Sequence, residues 1–254
     1  MRRRRLWVTA AVALALVLVA TGLYRLVNSR TYQVAGELVS RAGTTEKVVA
    51  LTFDDGPDEH AAEVLAALAA ERARATFYVV GSQVERFPKE AAALVAAGHE
   101  LGNHTYTHRR MVFVSPGTVR DEVERTNTLI RAAGQKGEIT FRPPTGKKLV
   151  VLPMYLAEHG QRTIMWDVEP DSGRTPTAGE IVAEVRARTR PGSIILLHPW
   201  YGSGANTRAA IRGVVSALRA EGYRFVTVSE LPAKGRGDRI HSAARHISGA
   251  GGGR

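Results

Sequence analysis

Two adjacent carboxylates, Asp54 and Asp55, end an apolar run and precede Gly56-Pro57, and further along two imidazoles, His104 and His108, flank Thr105-Tyr106-Thr107. One carboxylate with two imidazoles would hold a divalent cation and leave positions open for water and substrate, as catalytic rather than structural sites do. The other carboxylate is then free to act as a base. Two acids this close do not cheaply ionise together without a cation. Taken singly, each motif has an ordinary explanation: Asp-Gly-Pro is common turn vocabulary, and a histidine pair can sit on any polar loop. Their combination points to chemistry. Imidazole and carboxylate donors suit Zn²⁺, with Co²⁺, Ni²⁺ or Mn²⁺ compatible. The chain has no cysteine, so no thiolate ligand, Cys nucleophile or disulfide framework is available.

These residues need elements to position them. Apolar or β-branched runs at Val48 to Phe53, Ala75 to Val80, His99 to Gly102, Ile139 to Phe141, Arg162 to Trp166, Ser193 to Leu197 and Arg224 to Val228 predict strands. Between them, helices are expected at His60 to Ala73, Pro88 to Ala97, Thr118 to Ala133, Leu149 to His159, Ala178 to Thr189 and Thr207 to Ala220. Gly98, Gly134, Gly160 and Gly222 fall where a helix C-terminus favours glycine. Strands alternating with helices predict a parallel α/β sheet. No glycine-rich phosphate loop follows the first strand, so a dinucleotide-binding sheet is less apt than a distorted β/α barrel of about seven strands. The reactive residues fall just after strand ends, where such barrels build their sites.

Arg2 to Arg5 precede 18 uncharged, mostly apolar residues, Leu6 to Leu23. That length lies between a signal-peptide core and a spanning helix, and we read residues 1–30 as a basic cytoplasmic stub with an uncleaved transmembrane anchor. The arginines would stay inside, placing the rest of the chain outside; cleavage would make it secreted. Residues 31–46 read as a linker, 47–233 as one catalytic domain, and the Gly/Arg-rich 234–254 as a disordered tail. The net charge of +11 lies almost wholly in the ends, +6 in residues 1–30 and +4 in 234–254. The remaining +1 offers no basic groove, so no nucleic-acid partner is expected.

The ordered motifs resemble those of the polysaccharide deacetylases, carbohydrate esterase family 4. They are Thr52-Phe53-Asp54-Asp55, His104-Thr105-Tyr106-Thr107-His108, Arg142-Pro143-Pro144-Thr145-Gly146 and Leu196-Leu197-His198, spread through residues 48 to 230. The resemblance implies that Asp54 is the catalytic base, that Asp55, His104 and His108 bind the metal, and that His198 is the general acid. It places Arg142 against Asp54 to orient the base. Thr145 stands where the family usually has Tyr, a residue whose backbone N–H helps hold the oxyanion, and a backbone donor survives that change. Leu196 would help line a pocket for the acetyl methyl, and Trp200, beside Tyr201, would offer an aromatic face to a sugar. The block from Trp166 to Gly173 departs from the family pattern, because its usual second Trp is missing. Asp171 is our choice to support His198, with Asp167 and Glu169 as rivals.

The sequence thus predicts a membrane-held, metal-dependent N-deacetylase of amino-sugar polymers, with peptidoglycan N-acetylglucosamine or a chitin-like oligosaccharide as substrate and a monomer as the working form. An O-acetylxylan or exopolysaccharide esterase, an amidase of small amides, and a catalytically weak carbohydrate-binding protein are the rival readings.

Overall fold

A computed structural model describes residues 2–232, so the expected tail 234–254 lies outside the described residues. The N-terminal apolar run is one long helix, α1 (Arg2–Asn28), long and apolar enough to cross a membrane by length and composition. Nine of its large apolar side chains from Leu6 to Val19 are more than half exposed.

Beyond it the chain alternates β1 (Leu38–Val39), β2 (Val48–Asp54), α2 (Ala61–Ala70), β3 (Thr76–Val79), α3 (Gly81–Arg86), α4 (Pro88–Ala96), β4 (Glu100–Asn103), α5 (Pro116–Ala132), α6 (Val151–Glu158), β5 (Thr163–Ile164), α7 (Ala178–Arg188), β6 (Ile194–Leu197), α8 (Ala205–Ala220) and β7 (Arg224–Val226). All strand pairs are parallel. One sheet runs β4-β3-β2-β6 with β7 on the first half of β2, and β1 pairs with β5. Isolated parallel bridges at Phe141, to Asn103 and Thr163, and at Val168, to Ile195, connect the two.

β2 explains itself physically. All seven of its residues are buried, which a strand covered on both faces requires of its sequence. Its two faces diverge with period two: Val49, Leu51 and Phe53 join the core beneath α2, α4 and α8, whereas Val48 and Ala50 join a second cluster with Tyr78, Met165, Trp166 and Leu196. Thr52 and Asp54 continue that second face, so alternation alone sends Asp54 inward. Gly98, Gly134, Gly160 and Gly222 all follow helix ends at positive φ, between 63° and 104°, as their placement in the sequence predicts.

Two expectations are corrected, and one unexpected helix, α3, is found. Ile139 to Phe141 is not a full strand; Phe141 bridges alone because Pro143 and Pro144 follow at once and offer no N–H to a ladder. α3 has six residues, too short to show a helical period. Residues 31–46 are not a free linker: they contain β1, the Glu37 carbonyl accepts from Thr163 N–H, and Ala42 is buried with its N–H on the Gly192 carbonyl.

That last contact yields a test. Gly192 has φ +80°, and a Cβ there would lie 2.3 Å from the Ala42 carbonyl oxygen, a backbone atom that no rotamer change can move. Gly192→Ala is expected to lower stability by more than about 1 kcal/mol in chemical denaturation, from the left-handed backbone and the clash with Ala42 together.

Candidate active site

The end of β2 divides the two acids. Asp54 is the last strand residue and buried, with Oδ1 accepting from Arg142 NH1 at 2.7 Å. Asp55 follows at φ 78°, which leaves the strand, and its side chain is about a quarter exposed. Arg142 has no exposed surface. Its NH1 also donates to Thr52 Oγ1 at 2.8 Å, its other nitrogens reach the carbonyls of Ile164 and Met165, and its guanidinium lies 4.0 Å from the Tyr78 ring centroid. A buried guanidinium with this many acceptors holds its carboxylate in one orientation.

The histidine loop leaves β4 under equally strict control. His104 is buried, and its Nδ1 lies 2.7 Å from the Arg142 carbonyl, so Nδ1 carries a proton and Nε2 is turned toward Asp55. That Nε2 lies 3.5 Å from Asp55 Oδ1, and His108 Nε2 lies 3.0 Å from the same oxygen. One donor atom from each of Asp55, His104 and His108 falls within 4.8 Å of the others, an N₂O set that fits a first-row divalent cation. Burial alone would raise the Asp55 carboxyl, but hydrogen bonds from both imidazoles and the His104 charge hold it far below the usual carboxylate range. The Asp55 hydrogen bond in turn pushes His108 up.

Two residues that motif reading passes over shape this loop. Glu122, on α5, accepts from the N–H groups of Tyr106 and Thr107 at 2.8 Å each and from the Thr107 hydroxyl at 2.6 Å. Asn103 accepts from Thr105 N–H and donates to Val123 O and Asn127 Oδ1. An acid inside an amphipathic helix carries no sequence signal of such a role. Asp58 was equally silent: buried, it caps His60 N–H with one oxygen and takes Tyr201 N–H at 2.6 Å with the other, tying the β2 loop to the β6 loop.

His198 follows β6, and among its three candidate partners the structure puts Asp171 against it. Asp171 Oδ2 accepts from His198 N–H at 2.7 Å and from Thr207 Oγ1 at 3.0 Å, while Oδ1 sits 3.1 Å from His198 Nδ1. Burial would depress this imidazole, but the hydrogen bond and charge of Asp171, with the charges of Asp54 and Asp55, push it up to about 9. The rivals are occupied elsewhere. Asp167 accepts from Ser193 Oγ and Ile194 N–H, and Glu169 accepts from Trp166 Nε1 and Arg30.

The remaining expected residues separate. Thr145 is exposed on a turn at φ 54°, three residues beyond Arg142. Leu196 is buried in the inner cluster with Trp166 and Tyr78. Trp200 is corrected: only 2% exposed, it fills the core against Phe77 and lies over Gly56, where a Cβ would come within 2.2 Å of its ring. It offers no face to a sugar. Its neighbour Tyr201 is 44% exposed, and its hydroxyl donates to the Asp55 carbonyl at 3.3 Å. Of the seven non-glycine residues at positive φ among those described, Asp55, Thr105, His108, Thr145 and Tyr201 are in these loops, the concentration of backbone strain found at working sites.

A parallel α/β sheet that carries an arginine-paired carboxylate, an Asp/His/His cluster and an aspartate-supported histidine past its strand ends has the parts of a hydrolase. A family profile described as polysaccharide deacetylase matches residues 41–164. The chain is 34% identical to a peptidoglycan-N-acetylglucosamine deacetylase of Bacillus cereus, over 73% of this chain and 88% of that one. It is also 34% identical to a chitooligosaccharide deacetylase of Bradyrhizobium, over 72% and 90%. Among solved structures, a peptidoglycan N-acetylglucosamine deacetylase bound to a naphthalenyl-benzamide superposes with a TM-score of 0.73 at 28% identity, over 76% of this chain and 91% of that one. A pseudoenzyme of the same family from Bacillus anthracis gives 0.69 at 29% identity, over 76% and 68%. The chain belongs to the polysaccharide deacetylase family, carbohydrate esterase family 4. Its reaction class is hydrolytic deacetylation of a carbohydrate.

Two outcomes are expected from this geometry. Glu122→Ala frees the histidine loop and should weaken Zn²⁺ binding about 10- to 100-fold in chelator competition, although Glu122 is not among the three clustered residues. For His198, proton donation requires the protonated ring, and Asp171 raises its pKa, so activity should fall only on the alkaline side of the ordinary imidazole range. Asp171→Asn removes the charge that raises it and should move that limb of the pH–kcat/KM profile down toward the ordinary imidazole range.

Proposed function

We propose that this protein removes N-acetyl groups from amino-sugar polymers, with peptidoglycan N-acetylglucosamine as substrate, as a monomer held to the outer side of a membrane by α1. One observation carries the reading: base, three candidate ligands, acid and the acid's support are all present and mutually hydrogen-bonded or paired. The pseudoenzyme relative makes that completeness informative. Peptidoglycan is favoured because the B. cereus relative bears that substrate in its name and an outward-facing anchor would place the site at a cell wall. We also read the sheet, with its bridges at Phe141 and Val168, as a distorted β/α barrel.

Asp55, His104 and His108 would hold the cation, for which the donor set favours Zn²⁺. Bound there, a divalent cation supplies Lewis-acid polarisation of a carbonyl and a more acidic water. Asp54, fixed by Arg142, takes the proton as water oxygen bonds to the acetyl carbon. The Thr145 N–H faces the charge that develops on the acetyl oxygen. His198, protonated and supported by Asp171, gives its proton to the amide nitrogen as the C–N bond breaks, leaving acetate and a free amine. Leu196 would bound the methyl group from the inner core, and Tyr201 replaces Trp200 as the aromatic that meets the sugar.

Acetate release from peptidoglycan, chitooligosaccharides and acetylxylan, with and without chelator, tests this. Release from the first two that chelation abolishes and Zn²⁺ restores is expected; acetylxylan alone would favour an O-acetyl esterase, and none at all a binding protein. Asp54→Asn should keep the metal and lose about 10²- to 10⁴-fold in kcat. His104→Ala should lose both; a fully active Asp54→Asn would remove the assigned base.

A further inference from the structure

Outside α1, six large apolar residues among the described residues are more than about a third exposed: Tyr32 at 60%, Val34 at 40%, Phe113 at 85%, Val150 at 41%, Met154 at 57% and Tyr201. Tyr201 belongs to the site. The other five lie in segments tied to the point where α1 ends. Lys148 Nζ donates to the Ser29 carbonyl at 2.6 Å, and Lys147 donates to Asn28 Oδ1. Val150 stands two residues beyond Lys148 and leads into α6, which carries Met154. Met111 bridges Lys148 in parallel register, so the loop bearing Phe113 runs beside the same strip. Tyr32 and Val34 flank Gln33 on the stretch whose Gly36 packs against Ala157 of α6, where a Cβ would meet the Ala157 Cβ at 3.1 Å.

Phe113 is the most telling member. It sits at φ 53°, a left-handed backbone that an aromatic adopts only under constraint, and the turn puts its ring almost wholly in the open. Cations border the strip: Arg25 lies in the last turn of α1, and Arg109 and Arg110 are exposed beside Phe113, while Arg30 is paired with Glu169. Apolar and aromatic side chains mixed with arginine, next to the end of a helix long enough to span a bilayer, match the chemistry of the lipid headgroup zone. A patch of this kind on a soluble face would otherwise be an association site.

We infer that this face of the catalytic domain, Tyr32, Val34, Phe113, Val150 and Met154 with Arg109 and Arg110, rests on the surface of the bilayer that α1 crosses. The inference rests on the anchor reading and adds that the domain lies on the membrane instead of floating above it. The lipid surface is the favoured occupant because α1 runs directly into the patch and the bordering charge is positive, suited to anionic headgroups.

The chain has no cysteine, so a nitroxide label goes only where a cysteine is introduced. The full chain, in vesicles of phosphatidylcholine with phosphatidylglycerol, would be labelled at Leu16→Cys within α1, at Phe113→Cys and Met154→Cys on the patch, and at Ser216→Cys on α8, which packs on α2 and α7. Relative accessibility to oxygen and to a water-soluble nickel chelate reports depth. The expected order is Leu16→Cys deepest, the two patch sites intermediate, and Ser216→Cys aqueous. If Leu16→Cys lies deep while both patch sites match Ser216→Cys, the docking is wrong and the anchor stands. If Leu16→Cys is itself aqueous, the anchor reading fails and the docking with it. Dipolar broadening between patch labels of two copies, without lipid exposure, would make the face a self-interface and also overturn the inference.

Discussion

Everything at this site depends on one buried cation. Arg142 has no exposed surface, and a guanidinium in that position is tolerable only if its donors are satisfied. Its side chain takes Asp54 and Thr52 from β2 and two carbonyls next to β5, while its backbone accepts from His104 beyond β4. Asp54 and the His104 imidazole are therefore both held by the same residue, one through its side chain and one through its main chain. Deleting one partner of such a buried pair typically costs about 3–5 kcal/mol, because the charge left behind cannot reach water. The orientation of Asp54 and the stability of the fold thus rest on the same interaction.

Electrostatics then sort the remaining groups. Asp55 is partly exposed and turned toward two imidazoles, whereas Asp54 is enclosed and faces a guanidinium. The adjacent acids belong to different environments although no residue separates them. His198 has its own aspartate and also feels the negative charge of Asp54 and Asp55, which raises its proton affinity. A cation bound among Asp55, His104 and His108 would offset part of that pull, so the acid and the ligand cluster are coupled through space.

Much of this was legible in the chain. β2 reads as a strand because burial on both faces demands an unbroken apolar or β-branched run, here Val48 to Phe53, and strand alternation then decides which acid points inward. The helix-ending glycines read correctly because only a left-handed residue closes those turns cheaply. What stayed hidden was set by contacts distant in sequence. Glu122 looks like any acid on α5, and its value lies in three donors on a loop that precedes it by some fifteen residues. Asp167, Glu169 and Asp171 look interchangeable until β6 arrives to select among them. Trp200 was misread for a similar reason: its position beside His198 suggests a ligand face, but the space over glycine at position 56 draws the ring into the core.

The junction between α1 and the catalytic domain has a mechanical meaning. Sixteen flexible residues would let a tethered catalyst wander over roughly 20–24 Å, sampling polymer strands at many heights above its attachment. Here the same residues are spent on β1, on Ala42 and on packing along α6, and the lysines after the Thr145 turn grip the end of the helix. The chain has exchanged reach for a fixed standoff. With α1 in a membrane, such an enzyme would work like a plane set to one depth, so the thickness of wall it modifies would be decided by the passage of polymer past it and not by its own excursions.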